Sequence, residues 1–260
     1  MPLARERMIA MKIRTAGLIA ALLLMALSVA SAQEPMGWRA EIEPHAWIAG
    51  IEGTVTVDGQ ETEFNKSAGD LFDYVESAAG LSAAVHYNRW MMRADLDGFS
   101  LDTDNVDVED RPEAGRLQSD FFLTEVAAGY QVDGWSEGQA FDLLVGLRAL
   151  HIQNDLEEFG VGTFSFDTTL VDPLVGIRTS LPILPSKISG LRFVSYTAIG
   201  AGGDSKLVYE FSPGLQYQIT DRFAARAGYR RTGWQLESDE NDDELHFSLA
   251  GLVFGIRIGF

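Results

Sequence analysis

Cysteine is absent from the 260 residues, which excludes disulfides, thiolate metal centres and lipid attachment to a mature N-terminal cysteine. Basic residues are scarce: 20 Lys and Arg stand against 38 Asp and Glu, a net charge of −18. That balance argues against nucleic acid as a partner, because phosphate contacts are made by Lys and Arg. Beyond the first 32 residues there is no apolar run long enough for a transmembrane helix, and helix-period patterning is nearly lacking. The acidity does not imply disorder, since 46% of the residues are hydrophobic and strongly patterned.

The N-terminus is a different kind of segment. Arg5, Arg7, Lys12 and Arg14 precede a nearly unbroken apolar run from Ala16 to Val29, and Ala30-Ser31-Ala32 places small residues where a signal peptidase reads. The run is too short to span a bilayer as a helix. Residues 1–32 are therefore expected to be a cleaved signal peptide, with Met11 as an alternative start, and residues 33–260 a single domain.

Within that domain the recurring signal is period two. Phe260, Ile258, Ile256, Phe254, Leu252 and Ala250 form one face of the final segment, while Gly259, Arg257, Gly255, Val253 and Gly251 form the other. From Lys206 to Ile219, large apolar or aromatic residues at odd positions alternate with small and polar ones at even positions. Ten strands are expected near 38–51, 78–88, 90–101, 119–132, 140–152, 164–180, 190–203, 206–219, 222–236 and 245–260. Residues 70–77 are expected to be an ordered loop segment, with a short helix or plug-like turn as the alternative. The connections alternate in length. Short ones fall at 88–89, 133–139, 181–190 and 220–222, and the others are mostly longer, at 52–77, 102–118, 153–163 and 237–244. An even number of strands, with short turns at one end and long loops at the other, is the outer-membrane arrangement. The expected fold is an all-β, closed, antiparallel up-and-down transmembrane β-barrel of about ten strands, with eight as the alternative count.

Alternation alone does not say which face is inside, and a soluble periplasmic barrel would bury the apolar one. Several dozen large apolar side chains exceed what a small lumen holds. Trp38, Tyr87, Trp90, Phe141, Tyr217 and Phe223 sit near turn-side strand ends, where an interfacial aromatic girdle belongs. The apolar face is therefore assigned to lipid. The lumen is then expected to carry Arg39, Glu41, Glu43, His45, Arg93, Asp95, Asp97, Glu125, Asp142, Arg148, Asp172, Arg178, Glu210, Arg226, Arg230 and Arg257. Both signs occur, as a buried, mutually paired network requires; the other reading is the lining of a narrow pore.

The run Leu252-Val253-Phe254-Gly255-Ile256-Arg257-Ile258-Gly259-Phe260 resembles the final strand by which outer-membrane proteins are recognised by the barrel-assembly machinery, which makes Phe260 the expected assembly signal. Gly69-Asp70-Leu71-Phe72-Asp73-Tyr74, Val171-Asp172-Pro173-Leu174-Val175-Gly176-Ile177-Arg178 and Ala227-Gly228-Tyr229-Arg230 resemble segments of a poorly characterised family of small proteobacterial outer-membrane β-barrel proteins. The resemblance implies location in the cell outer membrane and a barrel architecture, and brings no activity.

The four long connections hold more than half of the acidic residues. They are read as a solvated outer rim, with weak Ca²⁺ or Mg²⁺ binding as the sharper alternative; no other cofactor is expected. Outer-membrane lipid and lipopolysaccharide are the expected partners of a monomer. An enzyme reading, of protease or lipid A hydrolase type, rests on His151 and His246 near outer strand ends, with Asp155, Asp243, Glu244 and Ser248 close in sequence. No motif surrounds either histidine, and a structural or surface role is favoured over a narrow pore or an enzyme.

Overall fold

The period-two segments fold as strands in a computed structural model, which describes residues 37–57, 60–72, 75–108, 111–133, 139–158, 162–184, 186, 188–237 and 243–260. The expected signal segment and its cleavage point lie outside the described residues. The strands are β1 (Trp38–Val57), β2 (Gln60–Lys66), β3 (Val75–Tyr87), β4 (Trp90–Val108), β5 (Arg111–Asp133), β6 (Ala140–Glu158), β7 (Gly162–Pro182), β8 (Leu191–Gly200), β9 (Leu207–Gln218), β10 (Phe223–Glu237) and β11 (Glu244–Gly259). One short helix, α1 (Ala68–Phe72), lies between β2 and β3.

Each strand of the ring pairs antiparallel with its sequence neighbour, and β11 returns to β1, closing a ten-stranded barrel. The seam runs from Glu41 opposite Gly259 to Thr56 opposite Glu244. Closure leaves no unpaired edge across the bilayer, which hydrocarbon requires. Phe260 completes the seam: its N–H donates to the Ala40 carbonyl at 2.9 Å. β2 stands outside the ring as a hairpin on the outer half of β1 alone, with Ile51 opposite Lys66.

The ten expected strands are all present, but four connections differ from expectation. Segments 102–118 and 153–163 are mostly strand, because β4 and β5 run on to Val108 and from Arg111, and β6 and β7 to Glu158 and from Gly162. Segment 52–77 contains the end of β1, the β2 hairpin, α1 and the start of β3, so the expected loop at 70–77 is partly helical. β10 and β11 reach Glu237 and Glu244. At the opposite end the turns are tight. Asn88 adopts φ 54° between β3 and β4, a left-handed conformation that asparagine tolerates better than most residues.

The outward face carries the lipid-facing apolar band, including Met92, Val145, Leu147, Val175, Leu252 and Phe254, all about half exposed or more. At the tight-turn end, Trp38 packs on Tyr87 with ring centroids 4.7 Å apart, and Trp90 on Tyr130 at 5.0 Å. These pairs form the expected aromatic girdle.

Candidate functional site

The inward positions of the ring converge on the lumen, which has two chemically distinct layers. The tight-turn half is ionic. Arg148 donates to Glu125 and Glu210, each at 2.5 Å, and to the Thr232 hydroxyl at 2.9 Å. Arg230 reaches Asp97 at 2.7 Å and Glu210 at 3.0 Å. Arg93 pairs with Asp95 and lies 3.4 Å from Glu125, while Tyr196 donates to Glu125 at 2.6 Å. Nearer the turns, Arg226 meets Glu43 at 3.2 Å. Glu41 accepts from Arg178 at 2.7 Å and Arg257 at 3.3 Å. Buried Asp142 stands opposite Arg178 in the β6–β7 register.

Most of the sequence-derived lumen residues thus meet in ionic groups across the barrel: a network around Arg148 and Arg230, the Arg226–Glu43 pair, and Glu41 with Arg178 and Arg257. Two do not fit that description. Arg39 is exposed at the turn-side mouth. Asp172, fully buried, pairs with no guanidinium among the described residues; it accepts from the Ser205 N–H and hydroxyl, each at 2.8 Å, and so fastens the β8–β9 turn to β7. Asp204 supports the same junction by accepting from the Val171 N–H at 2.7 Å.

His45 belongs to the network and stands 2.8 Å from Asp97. With Asp95 and Asp97 it forms the one candidate metal-ligating group among the described residues, with ligand atoms within 4.8 Å of one another. The set does not suit a cation. Arg93 and Arg230 already occupy the two carboxylates, so an added divalent ion would face two guanidinium groups at contact range.

The outer half of the lumen is apolar, a feature the sequence reading did not anticipate. Trp47, Leu123, Leu150, Val208, Trp234 and Phe247 are buried together. Strand register aligns them in rows. Leu123, Leu150 and Leu170 are cross-strand neighbours on β5, β6 and β7, as are Val208, Trp234 and Phe247 on β9, β10 and β11. Trp234 stacks on Phe247 with centroids 5.1 Å apart, and Trp47 meets Phe99 edge-on at 5.2 Å. The Arg230 guanidinium lies 4.6 Å from the centre of the Trp47 ring and joins the two layers by a cation–π contact. In the ionic half, a cavity of about 60 Å³ lies beside Glu41, Arg93, Arg178 and Tyr196, with room for only a few waters.

The groups behind the enzyme reading fall in two places: His151 stands on β6, while His246 and Ser248 line one cavity at the outer end of β11. His151 faces outward and contacts the Thr169 hydroxyl at 3.0 Å. His246 pairs with Glu244 at 3.3 Å, and Ser248 donates to Glu52, also at 3.3 Å. Among the rim acids, Asp102 pairs with Arg116, Glu237 with Lys206 and Glu52 with Arg231. Asp58, Asp73, Glu109, Asp110, Asp239, Glu240 and Asp242 lie outside the described residues.

Comparison with known proteins gives similar solved structures and one family model. Among solved structures, Ail of Yersinia pestis is 14% identical with a TM-score of 0.36, covering 86% of this chain and 100% of its own. Neisserial surface protein A is 11% identical with a TM-score of 0.32, covering 88% and 100%. The N-terminal β-barrel domain of Pseudomonas aeruginosa OprF is 13% identical with a TM-score of 0.27, covering 85% and 97%. No curated protein sequence shows significant similarity. The family model for the outer membrane protein beta-barrel domain matches residues 19–257. The chain therefore belongs to the outer membrane protein beta-barrel domain family, and its place is the cell outer membrane.

Proposed function

We propose that this protein is a closed, non-conducting barrel with a structural or surface role, presenting acidic strand ends outside the cell. The observation that carries this reading is the stacking of two sealing layers in one lumen. The ionic layer binds its own charges to each other, so a passing ion would have to displace a buried, hydrogen-bonded pair. Apart from the N–H groups of Trp47 and Trp234, the apolar layer offers no polar side-chain group to replace the hydration shell of an ion. Neither layer provides the convergent acid, base and nucleophile of an enzyme.

The test is planar-bilayer recording of the refolded mature protein. The expected trace has no discrete current steps across the physiological voltage range; reproducible unitary steps from the wild-type barrel overturn the reading. Weak divalent-cation binding at the acidic rim belongs to the same proposal. Calorimetry showing no heat with Ca²⁺ or Mg²⁺ at millimolar concentration removes it. Phe260 as an assembly signal is likewise proposed, on its outward, half-exposed ring at the seam. Phe260→Ala is expected to slow insertion by the assembly machinery while leaving the backbone bonds to Ala40 in place.

A further inference from the structure

On the outward face of β9, β10, β11 and β1, the surface chemistry changes from apolar to polar within two to four residues toward the exterior. Phe211, Tyr229, Leu252 and Ile48 are lipid-facing and 40% to 53% exposed. The next outward positions toward the exterior, two residues along, are Tyr209 on β9 and Arg231 on β10; four residues along are Ser248 on β11 and Glu52 on β1. These strands are mutual neighbours, with Arg231 opposite Phe211 and Glu52 opposite Ser248 in register. The change from apolar to polar therefore runs across all four strands, and it marks the boundary between hydrocarbon and headgroups in the outer leaflet.

At that boundary the surface is concave. A cavity of about 570 Å³ is lined there by Arg231, Tyr209, Gln235, Thr54, Asn65 and Glu52, among others. The β2 hairpin supplies one wall: Asn65 is the cross-strand partner of Glu52 and shares its face. The Tyr209 ring lies across Gly233, where an added Cβ would come within 2.5 Å of it; the glycine thus permits the ring to lie flat on the sheet. The Tyr209 hydroxyl accepts from Arg231 Nε at 3.4 Å. Arg231 also pairs with Glu52 and is 41% exposed toward the cavity.

This combination has a ligand chemistry. A guanidinium at a headgroup boundary suits a phosphate. Amide and hydroxyl side chains suit sugar hydroxyls, and an aromatic ring provides a flat apolar platform. The apolar strip directly below suits acyl chains. We propose that the cleft binds the phosphorylated saccharide headgroup of an outer-leaflet glycolipid. Arg231 contacts the phosphate, Gln235, Thr54 and Asn65 contact sugar hydroxyls, and the acyl chains lie along Ile48, Leu252, Tyr229 and Phe211. In the unliganded barrel Glu52 holds Arg231, so the phosphate competes with that carboxylate. The proposal rests on the outer-membrane location alone and does not depend on whether the lumen conducts.

The competition gives a test with opposite signs. The mature barrel is folded in nanodiscs containing bis-phosphorylated lipid A, and bound lipid is counted by native mass spectrometry, with heat-modifiable gel migration confirming that each variant is folded. Arg231→Ala is expected to lower retention about tenfold, as loss of a charged hydrogen bond implies. Arg231→Lys should keep part of the binding, and Glu52→Gln should raise it. Dephosphorylated lipid A should bind like the Arg231→Ala variant does to the intact lipid. Equal retention by all variants, or losses in both Arg231→Ala and Glu52→Gln, overturns the proposal; the latter result makes the pair merely structural. If Arg231→Ala does not fold, Arg231→Lys and Glu52→Gln carry the same comparison. Deacylated phosphorylated disaccharide binding as tightly as the intact lipid also overturns it, in favour of a site for a soluble phosphosaccharide.

Discussion

Gly80 shows how tightly single residues are constrained in the ionic half of the lumen. A Cβ built on it would lie 2.1 Å from His45 Nε2 and 2.5 Å from Asp97 Oδ1, so only glycine leaves room for that pair. Gly80→Ala must push His45 off Asp97, which also accepts from Arg230 at 2.7 Å. The expected cost is about 1–3 kcal/mol from overpacking, read as a lower urea midpoint in vesicles at unchanged slope. Arg148 poses the converse case. It is 1% exposed and serves two carboxylates, so Arg148→Ala leaves Glu125 without that partner and Glu210 held only by Arg230. A loss of about 3–5 kcal/mol is expected in the same assay. The inward position of both acids and Arg148 was legible from parity alone. Arg148 and Glu125 are cross-strand neighbours, but the pairing of Arg148 with Glu210 was not legible, because those two stand on strands that do not adjoin. Nor did parity reveal Asp172's separate task, since its partner Ser205 lies in a turn with no alternation to extend.

At the scale of elements, strand existence followed from alternation wherever one face met lipid and the other the lumen. It failed where both faces meet water. Beyond the bilayer, β4 and β5 carry acids at positions of either parity, such as Asp102, Asp104 and Asp107, and a two-sided polar strand has no period-two signature. Those ends therefore read as loops although they continue the pairing, with Asp102 opposite Gln118 and Asp155 opposite Ser165. α1 stood only as the alternative to a loop for another reason: five residues are too few for a helical period. Its local chemistry is nonetheless specific. Asp70 accepts from the Ser67 hydroxyl at 2.7 Å and N–H at 2.9 Å, and its own N–H donates to the Ser67 hydroxyl at 3.2 Å, a reciprocal cap of the capping-box type. The Ser67 hydroxyl bond, then its N–H bond, hold the Asp70 carboxyl below the ordinary Asp range. A depressed folded value means that the cap's contribution is present above the ordinary Asp pKa and is lost as pH falls through the folded one. Carbon-detected NMR titration should place Asp70 below the other exposed aspartates, and Ser67→Ala should return it to their range. Titration of Asp70 with those aspartates in the wild type would remove the cap from solution.

For the whole molecule, the two lumen layers act in series, and that arrangement makes a prediction neither layer makes alone. An ion crossing the barrel meets both barriers, so flux follows the higher one. The apolar layer was present in the sequence as inward Trp47, Leu150 and Trp234, each placed two or four residues beyond an ionisable inward position: His45, Arg148 and Arg230. What the sequence did not contain was their convergence in one buried cluster, which brings together strands far apart in the chain. Trp47→Ala with Trp234→Ala opens the outer half but leaves Arg148, Glu125, Glu210 and Arg230 interlocked beneath, and this variant is expected to remain silent in planar bilayers. Glu210→Gln with Arg230→Gln loosens the ionic half but leaves the tryptophans stacked above it, and is also expected to remain silent. The fourfold combination removes both barriers and is expected to give discrete current steps, provided that heat-modifiable migration shows a folded barrel. Steps from the tryptophan variant alone would mean that the ionic layer is already permeable, and steps from the glutamine variant alone would mean that the aromatic layer is. Either result would replace two seals in series with one.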